Sequence, residues 1–411
     1  MLRDADVLSL LMARKPGHSL PQPFYTDPGL FQADMRNIFY REWLNAIAAV
    51  EIPKTGNYVT LQIGAYSIII VRGADGTIRA FHNSCRHRGS RICSAAKGSA
   101  PKLVCPYHQW TYELDGKLLY AREMGPDFKP ADHGLKPVHC REAAGIVFVC
   151  LADIAPDFEG LREKLEAYAG PHGLNDTKVA FQSTITEQGN WKLVMENNRE
   201  CYHCSGSHPS LCRTFPDSPS LVGAEASDAD PAGADHIKRC EAAGLPSKYV
   251  ISPSEQWRFV RIPFLGEAVS YTMDGKAAVN KRIGKIPFDN AGTLLFFHYP
   301  NTWNHFLSDQ ALIFRVIPVS PTETQVTTTW LVHKDAVEGR DYDLNRLTEV
   351  WLHTNDEDRR IVEENQLGIN SPAYEPGPYS PAQEGGVIQF IDWYAAALQK
   401  RLVGRGLIAA E

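Results

Sequence analysis

The stretch NWKLVMENNRECYHCSGSHP, residues Asn190–Pro209, carries more chemically active side chains than any comparable part of the chain. Its apolar residues, from Trp191 to Met195, recur at steps of three and four, and this spacing predicts a helix. Gly206 and Pro209 predict the end of that helix. Several polar side chains are therefore expected where a helix breaks into a turn.

Glu200 and His203 lie three residues apart, which predicts that both side chains leave one face of the helix, and His208 follows from the turn. Two imidazoles and one carboxylate make the facial triad of oxygen-activating ferrous sites, which keeps coordination positions open. Histidines near a carboxylate also occur as solvent-facing or hydrogen-bonded residues. The spacing of these three residues is compatible with either interpretation.

The composition is that of an ordinary globular protein. A length of 411 residues predicts two domains, and a net charge of −6 gives no reason to expect nucleic acid or an anionic membrane as a partner. No apolar run approaches the ~20 residues of a membrane span, and the N-terminal LSLLMA has the wrong flanks for a signal peptide. We therefore expect a cytoplasmic protein. Nine irregularly spaced cysteines then favour thiols or metal ligands over disulfides.

The hydrophobic pattern becomes that of β-strands from Gly56 onward. Apolar residues alternate from Val59 to Ile63, an apolar run covers residues 67–71, and further short runs separated by turns continue to Leu151. This pattern predicts a compact all-β unit from about Pro53 to Leu151.

Two Cys–His pairs lie inside this predicted unit, Cys85 and His87 in CRHRG, and Cys105 and His108 in CPYHQW. Two cysteines and two histidines could hold a tetrahedral zinc ion, but a single residue between Cys85 and His87 strains their convergence on one ion. Two loops that each supply a thiolate and an imidazole fit a [2Fe–2S] cluster better, with both cysteines on one iron and both histidines on the other.

These motifs carry a resemblance to a known family. CRHRG followed by CPYHQW resembles the signature of Rieske non-heme iron oxygenases, and NWK…EN..E.YH....H resembles that of their catalytic domain, within a likeness from about Leu20 to Tyr394. Respiratory Rieske proteins carry two further cysteines where this chain has Ser90 and Tyr107, so their bracing disulfide cannot form here. The resemblance implies that His203 and His208 bind a mononuclear iron.

The third iron ligand is expected from a distant helix. Periodicity predicts a helix over Asp341–Leu367, with Asp358 on its apolar stripe and Asp356 and Glu357 pointing elsewhere. A carboxylate on a buried stripe is costly unless it is paired or bound to a metal. The family's ED....E segment matches Glu357-Asp358 and Glu363, which implies Asp358 as the ligand; a structural ion pair is the alternative.

The same resemblance implies Asn197 and Glu200 as catalytic residues. Glu200 stands where the family usually has Asp, a departure that resembles the subgroup acting on quaternary ammonium compounds. In the family this carboxylate hydrogen-bonds a histidine of each metal centre across a subunit boundary. Cys201 and Cys204 flank His203 as a C-x-x-C pair, and we expect cysteines that pack the helix rather than a redox pair.

The expected fold class is α+β. A helical segment at residues 1–45 precedes an all-β Rieske [2Fe–2S] domain at 46–155, and a catalytic domain at 156–411 has a curved antiparallel sheet that grips a long helix, a helix-grip or START-like arrangement. Residues 217–255 are predicted to form a loop region over the site. The strands predicted after that region are 257–260, 268–273, 293–299, 306–307, 311–318 and 324–333.

Residues 333–343 and 368–394 resemble the branch that demethylates glycine betaine and stachydrine. This implies a homotrimeric monooxygenase that uses O2 and releases an N-methyl group as formaldehyde. A separate flavin and [2Fe–2S] reductase would supply electrons from NADH, because the chain has no G-x-G-x-x-G segment of its own. The alternatives are an aromatic-ring dioxygenase and a pure electron carrier that lacks the mononuclear iron.

A quaternary ammonium substrate calls for an aromatic cage, which would hold the cation through cation–π attraction. For the substrate carboxylate, Asn304, His305 and Arg261 are the candidate donors. The residues predicted to contact substrate are Tyr202, Trp257, Tyr271, Trp303 and His305.

Overall fold

The structure is a computed structural model that describes residues 3–216 and 231–408. The chain divides into two compact units. The smaller unit is Arg41–Pro156, and the larger unit is formed by Met1–Tyr40 together with Asp157–Glu411. Among the described residues, no helix combines the length and the apolar character needed to cross a membrane.

The smaller unit is built from short antiparallel strands. Its strands are β1 (Leu44–Ala48), β2 (Asn57–Ile63), β3 (Tyr66–Arg72), β4 (Ile78–His82), β5 (Lys97–Ser99), β6 (Leu103–Val104), β7 (Thr111–Tyr112), β8 (Leu118–Tyr120), β9 (Pro137–Ala143) and β10 (Ile146–Cys150). Seven form one sheet in the order β1-β10-β9-β4-β3-β2-β5, and β6, β7 and β8 form a second sheet. The predicted all-β character of this part is confirmed.

The larger unit contains the helices and a second seven-stranded sheet. The helices are α1 (Asp4–Met12), α2 (Pro23–Thr26), α3 (Pro28–Asp34), α4 (Glu159–Tyr168), α5 (Trp191–Asn198), α6 (Cys204–Ser207), α7 (Pro231–Ala242), α8 (Leu344–Ile369) and α9 (Gly385–Ile408). The strands are β11 (Thr177–Glu187), β12 (Val250–Ile251), β13 (Trp257–Ile262), β14 (Thr293–His298), β15 (Thr302–Phe306), β16 (Gln310–Ser320) and β17 (Glu323–His333). All neighbours are antiparallel, in the order β11-β17-β16-β15-β14-β13-β12.

The long helix α8 packs on this sheet. Its N-terminus is capped by Asp343, whose side chain accepts from the N–H of Arg346. The Trp351 ring lies 5.0 Å from that of Phe314 on β16, and Asn355 Nδ2 donates to Thr328 Oγ1 on β17 at 3.0 Å. The predicted α+β class, with an antiparallel sheet and a long helix, is confirmed.

Two predicted elements are wrong. Residues 268–273 form a loop rather than a strand, because local hydrogen bonds such as that from Val269 N to Gly275 O replace strand pairing. Residues 217–230 of the predicted 217–255 loop lie outside the described residues, but the helix α7 follows them. The composition of residues 217–255 did not indicate this helix, in which the buried Cys240 packs with Ile286.

A buried ion pair holds the start of α5. Asp34 and Lys192 are both 0% exposed, and the Lys192 ammonium donates to Asp34 Oδ2 at 2.5 Å. The same carboxylate accepts from Trp191 Nε1 at 3.0 Å and from the Tyr394 hydroxyl at 2.6 Å. One carboxylate therefore connects α3, α5 and α9.

We predict that Asp34→Ala lowers the free energy of unfolding by about 3–5 kcal/mol, because the buried Lys192 ammonium would lose the carboxylate to which it is hydrogen-bonded. The measurement is the urea midpoint of the larger unit. Asp176→Ala is the control, since Asp176 and Lys334 form an exposed pair whose loss costs less than about 1 kcal/mol. Equal shifts in the two variants would contradict the prediction.

Candidate metal centres and substrate cavity

The two Cys–His loops of the smaller unit close in the same way. In each loop the cysteine N–H donates to the carbonyl five residues on, and the N–H four residues on donates back to the cysteine carbonyl, at 2.9–3.0 Å. The residue four positions after the cysteine has a positive φ in both, 76° at Gly89 and 56° at Gln109. Glycine adopts this conformation without strain, which explains its place in CRHRG.

The cysteines of these loops point inward and the histidines outward. Cys85 and Cys105 are 3% and 1% exposed, and Cys85 Sγ lies 3.2 Å from the Tyr112 hydroxyl. His87 and His108 are exposed, with ring centroids 4.6 Å apart. Two buried thiols behind two paired surface imidazoles fit a [2Fe–2S] cluster with one all-sulfur side.

The predicted helix through Glu200 and His203 is shorter than expected. Helix α5 ends at Asn198, and the chain turns before the short helix α6. Glu200 and His203 still meet, because the turn brings Glu200 Oε1 to 2.5 Å from His203 Nδ1. Glu200 and His203 are therefore in contact as expected, but through a hydrogen bond across a turn rather than from one face of a helix.

Three predicted ligand atoms converge in the larger unit. His203 Nε2 lies 3.0 Å from His208 Nε2, and Asp358 Oδ1 lies 3.4 Å from the first and 3.0 Å from the second. Ligands bound to one ion at about 2.1 Å and at right angles are about 3 Å apart. These three atoms thus occupy one face of an octahedron.

A metal ion fits the chemistry of this group. Asp358 Oδ1 is buried and has no hydrogen-bond partner among the described residues, although both imidazoles are near. Burial disfavours the charged form of His203, but Asp358 and Glu200 outweigh burial and raise its pKa to about 10. Burial raises the pKa of Asp358, but the two imidazoles lower it, and the net effect is a lowered pKa. The group therefore favours positive charge at its centre, which a ferrous ion would supply.

Each imidazole is also held from behind by a carboxylate. Glu200 bonds Nδ1 of His203, and Glu357 Oε2 lies 2.9 Å from Nδ1 of His208. Carboxylates in this position orient metal-binding imidazoles. The prediction that Glu357 points elsewhere is wrong, because helical phase gives a direction for its Cβ while its longer side chain reaches His208.

A cavity of about 80 Å³ adjoins the three converging side chains. Asn197, Glu200 and His305 line it, as do the rings of Phe215, Phe297 and Trp351. Sequence reasoning missed these three rings. Trp351 had a detectable signal, since it precedes Asp358 by seven residues and therefore shares its helix face.

Of the five residues predicted to contact substrate, only His305 is among the described residues that line the cavity. Tyr202 is 61% exposed, and the Trp303 ring stacks on Phe314 with centroids 4.9 Å apart. The Trp257 ring contacts Phe259, and the buried Tyr271 lies behind His305, its hydroxyl 2.8 Å from Nδ1. Strands such as β14 and β15 are buried throughout, so alternation gave no guide to the cavity side.

Cys201 and Cys204 form a disulfide, which corrects the expectation that the cysteines are thiols or metal ligands and that these two pack a helix. The turn brings their Cα atoms to 4.9 Å, within the range that a disulfide spans. The overall spacing of the cysteines could not reveal a bridge made by one local turn.

Comparison with known families assigns both units. The model of the Rieske [2Fe-2S] domain matches residues 42–138, and that of the ring hydroxylating alpha subunit (catalytic domain) matches residues 174–400. The chain therefore belongs to the family of Rieske non-heme iron oxygenases. The predicted cofactors, a [2Fe–2S] cluster and a mononuclear iron, are confirmed with the family.

Relatives that match along nearly the whole chain are more specific. Glycine betaine monooxygenase oxygenase subunit of Pseudomonas aeruginosa (strain UCBPP-PA14) is 50% identical over 397 residues, 96% of this chain and 92% of the relative. Its counterpart in Chromohalobacter salexigens is 50% identical over 407 residues, 97% and 90% of the two chains. The crystal structure of the quaternary ammonium Rieske monooxygenase CntA with L-carnitine has a TM-score of 0.70 at 23% identity, covering 95% of this chain and 99% of that one.

We predict that Glu357→Ala weakens binding of the mononuclear iron by about 10- to 100-fold, because His208 loses the carboxylate that orients it. Competition with a ferrous chelator measures this affinity. Asp356→Ala is the matched control, since Asp356 is exposed on the same turn of α8 and pairs with Arg359. Equal iron affinity in the two variants would argue against a role for Glu357.

We also predict that Cys105→Ala removes the visible absorption of the cluster, whereas Cys93→Ala retains it. Cys93 lies in the same hydrophobic core, where burial raises its pKa to about 11, so it remains a protonated thiol. Absorption spectra and acid-labile sulfide of the purified variants measure cluster content. Loss of the cluster in Cys93→Ala with retention in Cys105→Ala would show that the ligands are assigned wrongly.

Proposed function

We propose that this chain is the oxygenase component of a Rieske monooxygenase that removes one N-methyl group from a betaine, glycine betaine or stachydrine. The observation that carries this proposal is the meeting of His203, His208 and Asp358 beside an aromatic cavity. The 50% identity to glycine betaine monooxygenase oxygenase subunits supports the choice of substrate.

The overall reaction balances with two electrons and two protons. Glycine betaine, O2, two protons and two electrons give dimethylglycine, formaldehyde and water. One oxygen atom enters the methyl C–H bond to form a hemiaminal, whose C–N bond then breaks to release formaldehyde. The mononuclear iron, when bound, supplies the activation of O2 at its open coordination positions.

The residues of the larger unit would place the methyl group for this reaction. Phe215 and Trp351 offer ring faces to a trimethylammonium cation, whose attraction strengthens when water is excluded. Burial lowers the pKa of His305 to about 3, so its imidazole is neutral and does not repel the cation. Glu200 and Glu357 would keep both imidazoles oriented during turnover.

The residues of the smaller unit would deliver the electrons. Cys85 and Cys105 would hold one iron of the cluster, and His87 and His108 the other at the surface. We further propose a homotrimer in which Glu200 joins the iron of one subunit to the cluster of its neighbour. A flavin and [2Fe–2S] reductase would pass electrons from NADH to the exposed imidazoles.

We predict formaldehyde in a single turnover when the dithionite-reduced, iron-loaded protein is mixed with glycine betaine or stachydrine and O2. Formaldehyde and the demethylated amine should form in equal amounts. His203→Ala is the control, which should give no formaldehyde yet keep the visible spectrum of the cluster.

Two results would count against this function. A fully loaded protein that makes no formaldehyde from either betaine would exclude the demethylase. Conversion of an arene to a cis-diol by the same preparation would favour the aromatic-ring dioxygenase instead.

A further inference from the structure

Two buried arginines line the cavity beside the proposed iron ligands. Arg199, just after α5, is 1% exposed, and Arg258 on β13 is 3% exposed. Their guanidinium carbons lie 4.2 and 4.7 Å from the centroid of the Phe297 ring. Two like charges thus share one aromatic ring at the wall of the cavity.

Arg199 is not neutralised by the described residues. Its Nε donates to the Tyr299 hydroxyl at 2.5 Å and its Nη2 to Gln389 Oε1 at 3.3 Å, and both partners are neutral. Its Nη1 is buried and has no hydrogen-bond partner among the described residues, and none of their ion pairs includes Arg199. A buried charge in this state is unfavourable unless an anion joins it.

The field around Arg258 is positive as well. Burial, followed by the charge of Arg199, lowers the pKa of Arg258 to about 9, although Tyr299 and Tyr249 act in the opposite direction. Glu200 and Asp358, the carboxylates that line the described cavity, already face His203 and His208. The cavity therefore has a cationic wall, in which Arg199 has no acidic partner among the described residues.

We propose that Arg199 and Arg258 bind the carboxylate of the substrate, an inference that rests on the proposed betaine demethylase function. A guanidinium presents paired N–H donors that match a carboxylate, and burial strengthens such charge-assisted hydrogen bonds. The cationic end of the zwitterion is then directed away from the arginines and toward Trp351 and the iron ligands. The arginines are positioning and specificity residues, and they select against amines without a carboxylate.

Arg261, the donor suggested by sequence, differs from these two. It is three residues along β13 from Arg258, so the two side chains leave opposite faces of the strand. Its guanidinium bonds Ser247 Oγ at 3.0 Å, Ala291 O at 3.2 Å and His172 Nε2 at 3.2 Å, and it is not among the described residues that line the cavity. Arg261 is thus a buried arginine with a structural role.

The test compares binding of glycine betaine and choline by calorimetry to iron-loaded wild type, Arg199→Gln, Arg258→Gln and the control Arg261→Gln. Choline keeps the trimethylammonium group and lacks the carboxylate. Each cavity variant should bind glycine betaine about 10- to 100-fold more weakly, since a hydrogen bond to a charged group is lost, and should bind choline within about threefold of wild type. Arg261→Gln should leave the ratio of the two affinities unchanged.

If a variant loses its cluster or its iron, the wild-type protein alone still tests the inference. It should bind glycine betaine at least about tenfold more tightly than choline, and equal binding of the two would overturn the role of the arginines. Formaldehyde from glycine betaine with unchanged affinity in both cavity variants would refute the inference and leave the function standing. A wild type that neither binds nor demethylates any betaine would instead refute the function.

Discussion

The site in the larger unit depends on one constraint, that three proposed iron-ligand atoms from two distant chain segments meet within 3.4 Å. Two imidazole nitrogens and a carboxylate oxygen so close together favour positive charge between them, which a metal ion would supply. The hydrogen bonds that Glu200 and Glu357 accept from the Nδ1 atoms orient the imidazoles so that both Nε2 atoms face Asp358. Helix α8 supplies both Glu357 and Asp358, and therefore its packing on the sheet sets the geometry of the whole site.

The positions of the proposed ligands were predictable because they depend on short-range spacing and on one long period. The Cys–His pairs two and three residues apart, and the helical stripe that contains Asp358, can be recognised from the sequence alone. Contacts made by long side chains could not be predicted in this way. Glu357 is the example, since the helical phase gives the direction of a side chain but not how far that side chain reaches. Because strands such as β14 and β15 are buried on both faces, the hydrophobic pattern did not show which residues face the cavity. Its aromatic rings and arginines could be identified only from the structure.

The cavity separates two kinds of charge. Its acids lie at the histidines, and its arginines lie around Phe297. The acids and the arginines do not pair with one another among the described ion pairs, and Arg199 takes part in none of those pairs. A cation is therefore favoured at one end of the cavity and an anion at the other. A zwitterion carries both charges in one molecule, which gives a physical reason for the proposed selection of betaines over simple amines or simple acids.

The outward histidines of the smaller unit have a consequence for electron traffic. The thiols at Cys85 and Cys105 are enclosed in the hydrophobic core, and the imidazoles at His87 and His108 meet solvent on one side. In the proposed trimer the neighbouring subunit would receive electrons over these two rings, so the electron donor would have to approach beside that subunit. The rate at which the cluster is reduced would then depend on how much of His87 and His108 the neighbour leaves uncovered.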